Sequence, residues 1–195
     1  VVDAQSAAFR ELGAEVESAC LDLTGAQDVF EVLRAINYVQ LFGELADRAP
    51  GLVKQAIHWN IDKGRALTGT DVARANSLRG ALHTRVLEFF STYDALILPS
   101  SQVLPFDADV EYPSSVAGVE VTNYLDWMKA AFLVSVTECP ITAVPAGFSS
   151  NGLPIGIQVV APYRNDLKAL SVAHAFEQLT QIGRQRPPRQ QAGPQ

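Results

Sequence analysis

Two short apolar runs with an Asn-Gly turn between them constrain the fold more than any other feature of this chain. The runs cover residues 141–146 and 155–160, and the segment between them reads Gly-Phe-Ser-Ser-Asn-Gly. Because Asn-Gly adopts positive φ readily, this pattern predicts a β-hairpin. Pro145 lies inside the first run and has no N–H to donate to a ladder, which places it at a sheet edge or at a bulge.

Most of the remaining chain carries apolar residues at helical spacing. This period predicts helices over residues 1–12, 24–46, 52–67, 70–93, 123–134 and 166–181, with Thr24 and Thr70 as N-cap residues. Strands are predicted at residues 14–23 and 95–98, so that helices and strands alternate along the chain. Residues 100–121 form a long irregular loop, and loops of that length in a compact domain are often functional.

Length and charge bound the class of protein. The 195 residues correspond to about one domain, predicted over residues 1–183, with a disordered tail at residues 184–195. A hydrophobic fraction of 48% excludes wholesale disorder, and a net charge of −6 argues against a nucleic-acid partner. No apolar run approaches the roughly 18 residues of a membrane span, so no membrane partner is expected. The two cysteines, Cys20 and Cys139, are interpreted as reduced core thiols of a cytoplasmic protein.

No complete active site is recognisable from residue types and spacing alone. Three Ser-Ser pairs begin at Ser100, Ser114 and Ser149, and none lies in a G-x-S-x-G elbow. The three histidines lack the spacing of metal ligands, and no phosphate-binding glycine motif occurs. We therefore assign no catalytic residue and no metal site from this pattern.

One segment carries a far more specific pattern. It reads SVTECPITAVPAGFSSNGLPIGIQVVA from Ser135 to Ala161 and closely resembles the C-terminal signature of the amidase signature family. The shared elements are Thr137, Pro140, Val144-Pro145-Ala146-Gly147-Phe148, Gly152-Leu153-Pro154, Gly156 and Gln158. The DALILP segment at 94–99, the NYLDWM segment at 123–128 and the closing helix extend the resemblance.

This resemblance implies an α/β fold, a mixed β-sheet with covering helices that forms the C-terminal part of an amidase-signature-type fold. Family members use a Ser–cis-Ser–Lys triad on carbon–nitrogen bonds, and its Gly-Gly-Ser-Ser-Gly segment does not occur here. The chain is therefore expected to be a C-terminal fragment of an amidase for non-peptide amides, inactive alone, without a cofactor. Its partner would be a small-molecule amide substrate in the full-length parent. A cut sheet would leave an exposed edge or apolar face, so self-association is expected.

The resemblance also suggests substrate-pocket candidates, namely Tyr124, Trp127, Thr137 and Cys139. The aromatic faces of Tyr124 and Trp127 suit an apolar or aryl amide, although both residues fit a simple core role equally well. Glu138 stands where the family usually has Gly, so it must adopt an unfavourable conformation or mark a changed backbone path. Ser135 stands where the family usually has Asn.

Two other functions remain open on the sequence alone. One is a non-catalytic binding or structural module on the same scaffold, and the other is the end of an amidotransferase A-type subunit that requires partner proteins.

Overall fold

The computed structural model describes residues 2–185, and the predicted tail at 184–195 lies outside them from residue 186 onward. The helices are α1 (Gln5–Glu11), α2 (Ala26–Arg48), α3 (Gln55–Ala66), α4 (Gly69–Phe89), α5 (Lys129–Ser135) and α6 (Asp166–Thr180). The strands are β1 (Leu96–Pro99), β2 (Ser115–Val116), β3 (Val119–Glu120), β4 (Ile141–Phe148) and β5 (Pro154–Val160). Three short 3-10 turns cover Pro50–Leu52, Asp126–Met128 and Ile182–Arg184. The predicted α/β class is confirmed.

The described residues divide into two compact units. Unit 1 comprises residues 2–19, 95–127 and 140–185, and unit 2 comprises residues 20–94 and 128–139. Unit 1 therefore holds the strands together with α1 and α6, whereas unit 2 holds the other four helices.

The sheet of unit 1 has the strand order β1-β5-β4. The predicted hairpin is confirmed, because β4 and β5 pair antiparallel with Val144 opposite Ile157. Strand β1 pairs antiparallel with the other side of β5, with Leu96 opposite Val160. Every strand pair within residues 2–185 is antiparallel, so the parallel pairing of a mixed sheet is not found in this part of the chain. For β4 and β5 the reason is local, since a turn of five residues joins the two strands and fixes their opposite directions.

Pro145 lies both in an edge strand and beside a bulge, which are the two positions that its missing N–H favours. Strand β4 is an edge strand, and its register against β5 shifts between Pro145 and Gly147. The shift leaves Ala146 outside the ladder, as in a β-bulge. Its carbonyl instead accepts a hydrogen bond from the Gln5 side-chain amide at 2.8 Å, which attaches α1 to the bulge.

The core of unit 1 lies between one face of the sheet and the helices α1 and α6. Alternate residues of β4 and β5 supply the sheet side, because side chains alternate between the faces of a strand. The buried cluster consists of Phe9, Val144, Ala146, Ile157, Val159, Ala173 and Phe176. The rings of Phe9 and Phe176 stack with their centroids 5.0 Å apart and anchor α1 against α6.

Unit 2 is a helical unit organised around α2, which packs on α3, α4 and α5. Helices α2 and α3 approach closely at Gly64, where an added Cβ would lie 2.4 Å from the carbonyl oxygen of Ala35. Helix α5 joins through stacked rings of Phe30 and Phe132, whose centroids are 4.2 Å apart. Backbone proximity and aromatic stacking therefore both determine how these helices pack.

The predicted strand at residues 14–23 is wrong. The segment belongs to no ladder within the described residues, and seven of its ten residues are exposed, although Leu21 is buried. Arginine side chains rather than a neighbouring strand bind its carbonyls: Arg10 donates to Val16, and Arg85 donates to Asp22. Cys20 lies in this segment and is exposed, so its prediction as a core thiol is also wrong, whereas Cys139 is buried as predicted.

Both predicted N-cap residues are wrong by a residue or two. Helix α4 begins after Thr68 rather than Thr70, because Thr68 and Asp71 form a reciprocal capping box. Helix α2 begins after Gly25, which adopts a φ of 80°, a conformation that the neighbouring Thr24 could not share without strain.

Within residues 2–185, no helix combines the length and the apolar character that crossing a membrane requires.

Candidate functional site

A cavity of about 750 Å³ opens in unit 1 between the segment that follows β1 and the turn of the β4–β5 hairpin. Its lining comprises residues 100–106, Trp127, residues 149–150 and 154–156, and the two residues Val2 and Asp3. Its volume lies within the range of small-molecule sites. The long loop after β1, which the sequence marks as a pocket element, thus forms much of this wall.

An aromatic pair forms the apolar part of the lining. Trp127 and Phe106 meet edge-to-face with ring centroids 5.3 Å apart and an interplanar angle of 89°. The indole Nε1 of Trp127 is buried and has no hydrogen-bond partner among the described residues. The wall therefore offers ring surface rather than indole hydrogen bonding.

Two hydrogen bonds to β5 and a close approach at Gly156 fix the start of the loop wall. The Ser100 amide donates to the Gly156 carbonyl at 3.1 Å, and a Cβ added at Gly156 would lie 2.7 Å from Ser100 Oγ. The buried Gln158 side chain donates to the Pro99 carbonyl at 2.8 Å. Gly156 and Gln158 belong to the signature segment, so the residues that carry the resemblance also hold this wall in place.

Two of the four serines that line the cavity make local hydrogen bonds to the backbone. Ser101 Oγ donates to the Val103 carbonyl at 3.0 Å, and Ser149 Oγ accepts from the Leu153 amide at 3.1 Å. The latter bond closes the hairpin turn. These hydroxyls therefore shape the lining.

Thr137 and Cys139 lie in unit 2, in the loop after α5, and do not line the cavity. Thr137 Oγ1 donates to the Val134 carbonyl at 2.7 Å and accepts from the Cys139 amide at 3.3 Å. Burial raises the pKa of the Cys139 thiol above its ordinary value, more than the hydrogen bond from Thr137 lowers it. A raised pKa keeps the thiol protonated and unreactive at neutral pH.

Glu138 adopts an unfavourable backbone conformation, which is the first of the two alternatives that the sequence allowed. Its φ is +60°, in the left-handed region that glycine adopts without strain. Its carboxylate forms an ion pair with Arg79 of α4, and the two side chains are 38% and 45% exposed. The loop between Thr137 and Cys139 therefore keeps a left-handed backbone in spite of the side chain.

Of the four pocket candidates, Trp127 lies in the cavity wall, and Tyr124 is half-buried outside the lining. Sequence reasoning missed Phe106 and Asp3 as lining residues. Phe106 stands in the irregular loop already marked as functional, whereas nothing in the pattern around Asp3 points to a pocket. Within residues 2–185, no group of three or more histidine, cysteine or acidic residues is placed to hold a metal ion.

Comparison with known protein families identifies the family to which this chain belongs. The sequence model of the family described as Amidase matches residues 12–170, which is most of the chain. The chain therefore belongs to the amidase family.

Two known sequences illustrate the relationship. The chain is 28% identical to an acylamidase of Rhodococcus erythropolis over 174 residues, which cover 88% of this chain and 36% of the relative. It is 30% identical to the A-type subunit of the glutamyl-tRNA(Gln) amidotransferase of Listeria monocytogenes over 114 residues, which cover 58% of this chain and 22% of the relative. The chain thus spans about a third or less of the length of these relatives.

Solved structures show the same fold. A bacterial aryl acylamidase of the amidase signature family superposes with a TM-score of 0.80 and 23% identity, covering 96% of this chain and 42% of that chain. A 6-aminohexanoate cyclic dimer hydrolase superposes with a TM-score of 0.76 and 21% identity, covering 96% of this chain and 42% of that one. At these identities the likeness establishes the fold alone.

Proposed function

We propose that this chain is the C-terminal part of an amidase that hydrolyses carbon–nitrogen bonds of non-peptide amides, with aryl or apolar amides as substrates. The observation that carries the proposal is the similarity to the Rhodococcus acylamidase, which extends over 88% of this chain. The aromatic wall of Trp127 and Phe106 supports an aryl group as the ligand of the cavity.

We further propose that the chain does not catalyse the reaction alone. The family's Gly-Gly-Ser-Ser-Gly segment does not occur in these 195 residues. Two cavity serines, Ser101 and Ser149, make backbone hydrogen bonds, and the Cys139 thiol is buried with a raised pKa. In this proposal the nucleophile and its base come from a segment that precedes this one in the parent, while this chain supplies part of the pocket.

The reaction chemistry is tested with a fluorophosphonate probe, which labels activated serines. The 195-residue chain is expected to show no labelled serine by mass spectrometry, whereas the parent is expected to be labelled and to hydrolyse 4-nitroacetanilide. Labelling of any serine in the isolated chain would refute the claim that it lacks the nucleophile. A parent reading frame without a Gly-Gly-Ser-Ser-Gly segment and an upstream lysine would refute the amidase proposal and favour a non-catalytic module.

A second candidate is the end of an amidotransferase A-type subunit. The 30% identity to the Listeria protein favours it, but the match covers 58% of this chain. A Thermotoga maritima protein of this kind superposes with a TM-score of 0.55, against 0.80 for the aryl acylamidase. We therefore place it second. Co-purification of the parent with B- and C-type subunits would reverse this order.

We also propose that the isolated chain self-associates. Strand β1 is an edge strand, and α6 exposes Leu167 and Leu170 at 76% and 57%. Unpaired edges and apolar side chains of this kind favour contact between copies. Sedimentation velocity at micromolar concentration is expected to show dimers or larger species, and a compact monomer throughout would refute the proposal.

Two free cysteines and a net charge of −6 support a cytoplasmic location without a nucleic-acid partner.

A further inference from the structure

The cavity of unit 1 has an asymmetric charge. Asp3 is the one charged residue among the residues that line it within the described part of the chain, and the polar remainder consists of serines and Gln102. The Asp3 carboxylate forms no ion pair within residues 2–185, and no lysine or arginine lines the wall. Among the described residues, the lining therefore carries the negative charge of Asp3 without a lysine or arginine in the same wall.

The aromatic wall adds to this preference. An aromatic face carries partial negative charge, so a cation is attracted to a tryptophan or phenylalanine ring. Trp127 and Phe106 stand perpendicular to one another, so their two faces point in different directions around the cavity. An aromatic ligand can pack on one ring while a cationic group approaches the other ring or the carboxylate of Asp3.

We propose that this cavity binds an aromatic ring that carries a protonated amine, and that it discriminates against carboxylates. The proposal rests on the amidase function, since the protonated amine would be a substituent of the amide substrate away from the scissile bond, whose amide nitrogen is not protonated at neutral pH. Its basis is the shared location of the Asp3 carboxylate and the Trp127–Phe106 pair in one cavity. A carboxylate ligand would find no cation there, and Asp3 would repel it.

Three ligands of similar shape and different charge test the proposal. They are 2-phenylethylamine, which is protonated at pH 7, the neutral 2-phenylethanol, and the anionic 3-phenylpropanoate. The chain contains two tryptophans, and Trp59 lies in unit 2. A Trp59→Phe variant of the full 195-residue chain therefore reports fluorescence from Trp127 alone.

We expect saturable changes in Trp127 fluorescence, with the amine bound about fivefold more tightly than the alcohol at low salt. This is the size of a cation–π or exposed ion-pair contribution. The propanoate is expected to bind more weakly than the alcohol. Asp3→Asn should reduce the preference for the amine to the part that the aromatic rings supply and leave the affinity for the alcohol unchanged. Asp109→Asn is the matched control, because this acidic residue of unit 1 does not line the cavity.

Equal affinity for amine and alcohol would overturn the proposal, as would a preference that is undiminished in Asp3→Asn or is lost in Asp109→Asn. Circular dichroism establishes that each variant is folded. If Trp59→Phe unfolds the chain, calorimetric titration of the unsubstituted chain measures the same three affinities. Because these assays need no hydrolysis, a parent without amidase activity would refute the proposed function and leave the ligand preference standing.

Discussion

The left-handed backbone at Glu138 leads to a prediction about stability. Whether glycine or alanine is the more stable substitution there depends on the backbone conformation rather than on side-chain contacts. A residue with a Cβ at this φ costs about 1–2 kcal/mol relative to ordinary helical backbone. Glycine removes this cost but loses about 0.4–1 kcal/mol through the greater freedom of the unfolded chain. Glu138→Gly should therefore be more stable than Glu138→Ala by about 0.5–1 kcal/mol.

The ion pair with Arg79 contributes separately. Because both side chains are more than a third exposed, we expect about 0.2–1 kcal/mol from it, less at high salt. Glu138→Ala loses the pair and keeps the strain, so it should be less stable than the unsubstituted chain. Glu138→Gly loses the pair but also the strain, and should lie within about 0.5 kcal/mol of it.

Urea unfolding followed by circular dichroism measures these differences. At a slope near 2.5 kcal/mol/M, the glycine and alanine variants should differ in midpoint by about 0.3 M. The matched control is Gly80→Ala on the exposed face of α4, where a Cβ meets nothing within 4 Å and alanine should be the more stable residue. An alanine variant at position 138 that equals or exceeds the glycine variant would refute the role of the left-handed backbone.

Three further predictions concern individual side chains. Gln158→Leu should destabilise the chain by about 1–3 kcal/mol in urea unfolding, because a carbonyl at the end of β1 loses a buried donor; an unchanged midpoint would show that the bond contributes nothing. Thr68→Ala should cost about 1 kcal/mol at pH 7. Hydrogen bonds from Thr68 hold the pKa of Asp71 below its ordinary value. Asp71 therefore contributes to stability above its unfolded pKa, and this contribution is lost as the pH falls through its folded pKa. In acid, the free energy of unfolding of Thr68→Ala should approach that of the unsubstituted chain. A difference between the two that stays constant with pH would contradict this. Alkylation followed by mass spectrometry should label exposed Cys20 quickly and buried Cys139 only on unfolding, and equal rates would contradict that burial.

The elements that the sequence predicts well are those determined by local chemistry. The Asn-Gly turn and the missing N–H of Pro145 act over a few residues, and both the hairpin and the bulge follow from them. The segment at residues 14–23 has a similar local pattern, but a strand also requires a partner. Arg10 and Arg85 bind its carbonyls instead, from a position far along the chain in the case of Arg85.

The same distinction applies to the candidate site. The irregular loop and Trp127 could be marked from the sequence because proline spacing and aromatic character are visible there. The presence of Asp3 in the lining could not be predicted from the sequence. It depends on the start of the chain lying beside segments about 100 and 150 residues away. The angle between Phe106 and Trp127 likewise requires coordinates.

The stacked rings of Phe9 and Phe176 have a consequence for how the protein is made. Their partnership joins the beginning and the end of this chain, about 170 residues apart. At a synthesis rate of about 5–20 residues per second, Phe9 is translated roughly 8–33 s before its partner. Until then α1 lacks the helix on which it packs, and its apolar face remains available to chaperones. The core of unit 1 is therefore completed only after Phe176 has been translated.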